Sequence, residues 1–256
     1  MADAGDLKGD LPGVAGGTEL AVSGSYAAGE LRIGAASTHR EIERSSSTRE
    51  RWPSLAAMAR DVANIRVRNV GTVGGNLCFA DPHSDPATYL TAAGGSVTVR
   101  RGGEAPRRIP IEDFTRGPYQ TALAPGELLV AVHVPVLPAG SVLVHKKMSF
   151  RERPAITLAA NVAVRDGRIA EARLAVGSIG LMAQRLVRAE EALRGLDPAD
   201  PDAGELSECA EDAAQEAQAV ADSNGSVEYK RQLVRVLVER SVREALEPTT
   251  SLLQDP

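Results

Sequence analysis

The sequence predicts an α+β protein built of two successive parts. Alternating apolar and polar residues predict strands in both parts, and helical spacing of apolar residues predicts a long helix over 226–246. The segment 135–140 holds two prolines and a glycine, and the pattern of elements changes after it, so we place a domain boundary there. We therefore expect one domain over residues 1–138 and a second over residues 139–256.

The first part has a predicted strand over 30–36, after a stretch rich in glycine and alanine. Thr38 with Glu41 three residues later forms a capping box, the signature of a helix start. A second helix is predicted from Trp52 and Pro53 onwards, because apolar residues recur there at helical spacing, and it should end before residue 67. Three further strands are predicted in this part, over 96–101, 109–111 and 128–134.

The segment over 69–89, NVGTVGGNLCFADPHSDPATY, is expected to be a long loop with at most a helical turn over 87–93. Its glycines, prolines and aspartates are typical of irregular structure. In such a loop many backbone N–H groups are free to face a ligand. The structural alternative is a tight turn with a glycine bulge.

The turn Thr72, Val73, Gly74, Gly75 and Asn76 is the strongest candidate for a binding site. Glycine lets the backbone approach an anion closely, and consecutive N–H groups in a turn form an anion-binding nest. Thr72 and Asn76 add side-chain donors.

Two carboxylates follow this turn, at Asp81 and Asp85, and a carboxylate accepts hydrogen bonds from ribose hydroxyls.

A second glycine-rich turn lies upstream, at Ala15, Gly16, Gly17, Thr18 and Glu19. Two such turns in one domain suggest a cradle for a dinucleotide. The chain has no G-x-G-x-x-G unit and no Gly-Lys-Ser or Gly-Lys-Thr loop, so a Rossmann site and a P-loop are both disfavoured.

The second part is predicted to contain a strand hairpin, because Asp166-Gly167 between two apolar runs is a strong hairpin signal. The strands expected there cover residues 143–149, 156–165 and 169–176. The helices expected there cover residues 184–193, 205–220 and 226–246, with a solvated linker over 197–202.

Composition excludes several classes of protein. The chain has 29 basic and 34 acidic residues, a net charge of −5, which argues against a nucleic-acid binder. Cys78 and Cys209 are too few for an iron–sulfur cluster, which takes about four thiolates. They form no zinc pattern and no disulfide framework, so we expect a cytoplasmic protein. Any redox chemistry must then come from an organic cofactor or a partner.

In order along the chain, six segments resemble one known family, the FAD-binding medium subunits of the molybdenum hydroxylases, which include carbon monoxide dehydrogenase and xanthine dehydrogenase. The resemblance covers about residues 30–246. The segments are ELRIGAASTHREIE (30–43), VRNVGTVGGNLCFADPHSDPATYL (67–90), IPIEDF (109–114), APGELLVAVHVP (124–135), KKMSFRERPAITLA (146–159) and GSVEYKRQLVRVLVER (225–240).

The resemblance implies a flavin-binding fold of the vanillyl-alcohol-oxidase type, followed by a small α+β domain with an antiparallel sheet. It implies FAD on this chain, which would receive electrons from [2Fe–2S] centres of a small subunit. Those centres would be reduced by a molybdenum cofactor in a large subunit, in a dimer of heterotrimers. The acceptor of the electrons, NAD, oxygen or another, stays open. No residue of this chain is expected to be catalytic or to bind a metal.

The resemblance also implies roles for single residues. The backbone of Thr72–Asn76 would wrap the pyrophosphate, and Asp85 would contact the ribityl or adenosine side. Leu128 or Leu129 would line the isoalloxazine or adenine wall of the cofactor site, although leucines in a strand are also typical core residues. Lys147 would lie near the pyrimidine edge, with a solvated surface lysine as the alternative.

The N-terminal region departs from the family pattern, because few residues separate Glu19 from Glu30. Either residues 15–20 are the family's first pyrophosphate turn with neighbouring elements deleted, or residues 6–14 match a later segment and the first turn lies upstream of Met1. We favour the first interpretation. Under both, flavin binding would be weakened or lost, so a flavin-deficient assembly subunit is the main alternative function. A stand-alone flavoprotein is a further one.

Overall fold

The computed structural model describes residues 29–149, 153–197 and 203–247. The strands are β1 Glu30–Gly34, β2 Ser96–Arg100, β3 Arg107–Pro110, β4 Thr115–Gly117, β5 Gln120–Thr121, β6 Leu128–Pro135, β7 Ser141–Ser149, β8 Pro154–Arg165, β9 Arg168–Gly177 and β10 Gln184–Arg185. The helices are α1 His39–Arg44, α2 Ser46–Arg51, α3 Pro53–Asp61, α4 Ile65–Val70, α5 Val73–Phe79, α6 Asp85–Ala93, α7 Ile111–Phe114, α8 Val187–Leu193, α9 Ala203–Glu216 and α10 Val227–Leu246.

The first sheet has the strand order β1-β6-β2-β3, with antiparallel pairing throughout. Strand β6 is central and nearly all of it is buried, which explains its continuous apolar run. Leu31, Ile33, Val97 and Val132 of this sheet join Leu55 of α3 in one apolar core. Strands β4 and β5, which lie between β3 and β6 along the chain, form a separate two-stranded antiparallel sheet.

The second sheet has the order β10-β9-β8-β7 and is also antiparallel. Its β8–β9 hairpin turns at Asp166 and Gly167, which have φ values of 52° and 71°, so the predicted hairpin is confirmed. Even-numbered residues of β8, such as Ile156 and Leu158, pack with Val234 and Val238 of α10 in a second apolar core. This periodicity is that of a strand with one face against helices.

Helix α6 covers the opposite face of the second sheet and so joins the two parts of the chain. Ala92 of α6 packs with Ala159 and Ala175 in a small buried cluster. The hydroxyl oxygens of Thr88 and Thr157 lie 2.9 Å apart. Because both faces of β8 are buried, its sequence is almost uniformly apolar.

The expected loop over 69–89 is wrong, since this segment contains the end of α4, all of α5 and the start of α6. Each helix begins at a side-chain cap: Asn64 for α4, Thr72 for α5 and Ser84 for α6 accept hydrogen bonds from the first turn. These caps satisfy N–H groups that a helix start otherwise leaves unpaired. The glycines and prolines therefore fit into short capped helices.

The other predicted elements agree with the structure apart from their ends. The capping box of Thr38 and Glu41 is confirmed. Helix α2 was missed, the predicted strand at 109–111 ends at Pro110, and the predicted helix at 184–193 begins with β10. The domain division at residue 138 stays a prediction, and the turn at residues 15–19 lies outside the described residues. In the described part of the chain, no helix is long and apolar enough to span a bilayer.

Candidate functional site

The turn at Thr72–Asn76 forms the start of α5 and is held against the end of β1. The N–H groups of Val73 and Gly74 donate to the carbonyls of Ser37 and Ala35, at 3.0 and 2.9 Å. The N–H of Gly75 donates to Thr72 Oγ1 at 3.0 Å, and that of Asn76 to the Thr72 carbonyl at 2.9 Å. All four N–H groups are therefore occupied, and the expected nest of free N–H groups is wrong.

The two glycines of this turn have different surroundings. A Cβ on Gly74 would lie 2.7 Å from both Cβ and O of Ala35, so only glycine fits between α5 and β1. A Cβ on Gly75 would meet only Thr72 Oγ1, at 2.9 Å, and this residue is exposed. Gly74 thus serves packing, while Gly75 leaves the backbone accessible from solvent.

The side chain of Asn76 is oriented by Ser84. Ser84 Oγ donates to Asn76 Oδ1 at 2.6 Å and accepts from the N–H of Ala87 at 3.1 Å. Asn76 Nδ2 has no acceptor among the described residues, and the residue is half-buried. The hydroxyl of Thr72 accepts from Gly75, and its own proton has no acceptor among the described residues. Two side-chain donors therefore border the exposed backbone of Gly75.

Phe79, one turn after Gly75 on α5, forms an exposed aromatic pair with Tyr119. Phe79 and Tyr119 are 59% and 54% exposed, and their ring centroids lie 5.1 Å apart at an interplanar angle of 60°. The N–H of Tyr119 donates to the Ala80 carbonyl at 2.8 Å, which holds the pair together. Phe79 lies four residues after Gly75, on the same face of the helix. Sequence reasoning missed this pair, because Tyr119 lies forty residues further along the chain.

Asp81 is occupied by protein groups. Its Oδ1 accepts from the backbone N–H of His83 and contacts His83 Nδ1, both at 3.0 Å. Its Oδ2 lies 3.3 Å from an Arg153 guanidinium nitrogen. Hydrogen bonding to Tyr119 and the charge of Asp81 together raise the pKa of Arg153. Arg153 therefore connects the segment after α5 with the aromatic pair.

Asp85 and Lys147, expected as separate ligand contacts, instead contact each other. Lys147 Nζ donates to Asp85 Oδ2 at 2.9 Å and to the Asp61 carbonyl at 2.6 Å. Asp85 is 4% exposed, and its burial raises the pKa of its carboxyl to about 6 despite the opposing charge of Lys147. Contact of either residue with a cofactor stays a prediction, and in this structure both hold α6 to β7.

His145 lies beside this ion pair on β7. Its Nε2 is 3.9 Å from Asp85 Oδ1, and neither ring nitrogen has a hydrogen-bond partner. Burial, with the positive charges of Lys147 and Lys146, lowers the pKa of His145 to about 3. The imidazole is therefore neutral inside the protein.

Leu128 and Leu129 have opposite orientations at the start of β6. Leu128 is 57% exposed, whereas Leu129 is 8% exposed and belongs to the first apolar core. This difference follows from the alternation of side chains along a strand. Only Leu128 is accessible to a ligand, and its contact with a ring stays a prediction.

Known proteins share the sequence pattern and the architecture of this chain. A sequence model described as the FAD binding domain in molybdopterin dehydrogenase matches residues 14–137, and one described as the CO dehydrogenase flavoprotein C-terminal domain matches residues 151–245. The medium subunit of nicotine 6-hydroxylase from Paenarthrobacter nicotinovorans is 35% identical over 247 residues, which cover 92% of this chain and 81% of that protein. The chain belongs to the family of molybdenum hydroxylase medium subunits.

Other members of the medium-subunit family agree. The xanthine dehydrogenase FAD-binding subunit of Escherichia coli O157:H7 is 29% identical over 88% of this chain and 77% of its own length. A solved structure of carbon monoxide dehydrogenase from Hydrogenophaga pseudoflava superposes with a TM-score of 0.79 at 26% identity, covering 85% of this chain and 75% of that one. The resemblance and the fold class stated from the sequence are thereby confirmed.

The described residues fit the flavin cofactor of the medium-subunit family, though through side chains more than through backbone. Gly75 has no side chain to obstruct a ligand, and Thr72 and Asn76 have donors with no acceptor among the described residues. Phe79 and Tyr119 add exposed ring surface. A phosphate group needs such donors, and an aromatic ring system needs such a surface.

Proposed function

We propose that this chain binds FAD and transfers electrons as the medium subunit of a cytoplasmic molybdenum hydroxylase. The observation that carries the proposal is the order of the two matched domains, FAD-binding over 14–137 and flavoprotein C-terminal over 151–245, within one chain. Bound FAD supplies the electron-transfer chemistry, while the protein positions the cofactor and tunes its environment. This assignment makes the chain one component of an oxidoreductase.

The partners proposed are a small subunit with [2Fe–2S] centres and a large subunit with the molybdenum cofactor, in a dimer of heterotrimers. The two cysteines of this chain support that division, because Cys78 and Cys209 are too few to hold a cluster. They also lie in different apolar cores, so they cannot act as a pair of ligands. The clusters must then reside on another chain.

Within the site, we propose that Thr72 Oγ1 and Asn76 Nδ2 donate to the pyrophosphate of FAD above the exposed backbone of Gly75. Val73 and Gly74 position this turn through their hydrogen bonds to Ser37 and Ala35, which follow β1. Residues 15–19, when they are the first turn, would complete the contacts from outside the described part of the chain. The turn would be supported through the segment that follows it, which is held by Asp81, Asp85 and Lys147.

The experiment is purification of the full chain, followed by its visible absorption spectrum and by titration with FAD. We expect a flavin spectrum, or saturable quenching of flavin fluorescence when FAD is added. Asn76→Ala should raise the Kd for FAD by roughly tenfold, since a hydrogen bond to a charged group contributes about 1.5–3 kcal/mol. Asn224→Ala, in a loop of the second part, is the matched control and should leave the Kd unchanged.

A chain that stays colourless and gives no saturable titration would contradict the proposal and support the flavin-deficient alternative. The flavin-deficient alternative is not favoured, because a FAD binding domain model matches residues 14–137. A stand-alone flavoprotein is not favoured either, because the relatives named above are subunits of a hydroxylase and a dehydrogenase. Co-purification separates the remaining cases. A stable assembly with iron–sulfur and molybdenum subunits supports the medium-subunit role, whereas an active monomer without iron or molybdenum would overturn it.

A further inference from the structure

We infer that Ser84 is a positioning residue for the cofactor site, because its hydroxyl fixes the carboxamide of Asn76 with the amide nitrogen directed away from the protein. The inference rests on the proposed function and deepens it. Ser84 itself is 4% exposed and caps the start of α6, so it acts through Asn76.

The orientation follows from the hydrogen atoms available. Ser84 Oγ accepts the N–H of Ala87 at 3.1 Å, so its only proton is free to donate, and Asn76 Oδ1 lies 2.6 Å away. Rotating the carboxamide by half a turn would place Nδ2 against Ser84 Oγ. The hydroxyl proton would then have no acceptor there, and a buried unpaired donor costs about 1–3 kcal/mol. The structure therefore favours one orientation of Asn76.

Ser84 is itself held rigidly, which lets it transmit a fixed geometry. Its N–H donates to the Asp81 carbonyl at 3.0 Å, and its carbonyl accepts from Thr88 Oγ1 at 3.2 Å. The next residue, Asp85, is paired with Lys147 of β7. The hydroxyl thus belongs to the junction of the two parts of the chain, while Asn76 belongs to the exposed turn.

A donor fixed before binding loses less conformational entropy when the ligand arrives. In this chain the amide nitrogen of Asn76 is such a donor, adjacent to the exposed Gly75. A pyrophosphate offers only acceptors, so a carboxamide that presented Oδ1 instead would repel it. Ser84 thereby excludes the unproductive orientation of Asn76.

The test is a double-mutant cycle on the full chain, with the Kd for FAD measured by fluorescence quenching. We expect Ser84→Ala to raise the Kd roughly fivefold to tenfold, and to have almost no further effect in an Asn76→Ala background. Ser226→Ala is the matched control, because Ser226 caps α10 through the Tyr229 N–H without contacting the site. It should leave the Kd unchanged.

Equal effects of Ser84→Ala in both backgrounds, or no effect in the wild-type background, would overturn the inference. A readout without cofactor separates this from failure of the proposed function. The heteronuclear NOE of the Asn76 side-chain amide should be high in the wild type and in Ser226→Ala, and low in Ser84→Ala. A wild type that binds no FAD contradicts the proposed function, whereas an unchanged NOE in Ser84→Ala contradicts the role of Ser84.

Discussion

Lys147 on β7 and Asp85 on α6 form a buried ion pair, with Nζ and Oδ2 2.9 Å apart. Nζ also donates to the carbonyl of Asp61, the last residue of α3. One side chain of the second part thus joins two helices of the first. Because Asp85 directly follows Ser84, the pair also fixes the segment that supports Asn76.

Lys147→Met should destabilise the protein by about 3–5 kcal/mol near pH 8, because it leaves the Asp85 carboxylate buried without a partner. Asp85 already has a raised pKa of about 6, and loss of the lysine raises it further. The folded state then binds a proton that the unfolded state releases near pH 4, so stability falls as pH rises. Urea unfolding near pH 8 and pH 5 should therefore show the larger loss at pH 8.

The neighbouring lysine provides the control for this variant. Lys146 forms an ion pair with Glu244 in which both side chains are more than a third exposed. Lys146→Met should cost less than about 1 kcal/mol, as exposed pairs do. Adding Asp85→Asn to Lys147→Met should restore part of the stability at pH 8. A loss of stability in Lys147→Met that is equal at pH 8 and pH 5 would contradict this account.

His145→Leu should remove a contribution that destabilises the folded protein in acid. The pKa of His145 is about 3 in the folded protein and about 6.5 when unfolded, so the unfolded state binds more protons in this interval. The contribution of His145 to stability therefore falls as pH drops below about 6.5, by up to about 1.4 kcal/mol per pH unit. Between pH 7 and pH 5, the difference in stability between the leucine variant and the wild type should therefore shift in favour of the variant by about 2 kcal/mol.

Chemical denaturation across this pH range measures the effect. The carboxyl of Asp85 titrates in both proteins, so the difference between the two stability profiles isolates the imidazole. Parallel profiles for wild type and His145→Leu would show that the imidazole does not resist protonation in the folded state.

Substitutions at the two glycines of α5 should separate packing from binding. Gly74→Ala should destabilise the protein by about 1–3 kcal/mol, because the new Cβ overlaps the backbone of Ala35. Gly75→Ala should cost less than Gly74→Ala, since helix propensity favours alanine and the new Cβ would displace only the Thr72 hydroxyl, 2.9 Å away, rather than backbone. Thermal unfolding and FAD titration of both variants distinguish them: Gly75→Ala should weaken FAD binding without unfolding, and the reverse order of stabilities would contradict the assignment.

The sequence was sufficient for elements whose signals are local. The capping box at Thr38, the hairpin at Asp166-Gly167 and the long helix α10 all follow from residues within one or two turns of each other. The turn around Gly74 and Gly75 was also identified locally. Its conformation was not predicted, because side-chain caps at Asn64, Thr72 and Ser84 stabilise three short helices where a loop was expected.

Relationships between distant residues could not be predicted from pattern alone. The proximity of Lys147 to Asp85 depends on how α6 packs across β7 and β8. The pairing of Phe79 with Tyr119 depends in the same way on the chain returning to α5. The cofactor was inferred from the family resemblance. Only the structure shows which side chains face solvent and which contact each other.

Gly177→Ala should disrupt the junction between α6 and the second sheet. A Cβ there would lie 2.1 Å from Thr88 Oγ1 and 2.7 Å from Thr157 Oγ1, so we expect a loss of about 1–3 kcal/mol. Gly102→Ala is the control, because its Cβ would meet nothing within 4 Å. Thr88→Ala removes the closer of the two obstructing hydroxyls but also the hydroxyl contacts to Thr157 and Ser84, so alone it should cost about 1 kcal/mol.

The combination Gly177→Ala with Thr88→Ala should therefore be less destabilising than the sum of the two single variants. Residues in contact show coupling of about 0.5–3 kcal/mol in such cycles, and here the obstruction predicts a coupling that restores stability. Guanidinium unfolding of all four proteins gives the coupling directly. Simple additivity would mean that the loss in Gly177→Ala does not arise from contact with the Thr88 hydroxyl, and would contradict close packing of α6 against the sheet at Gly177.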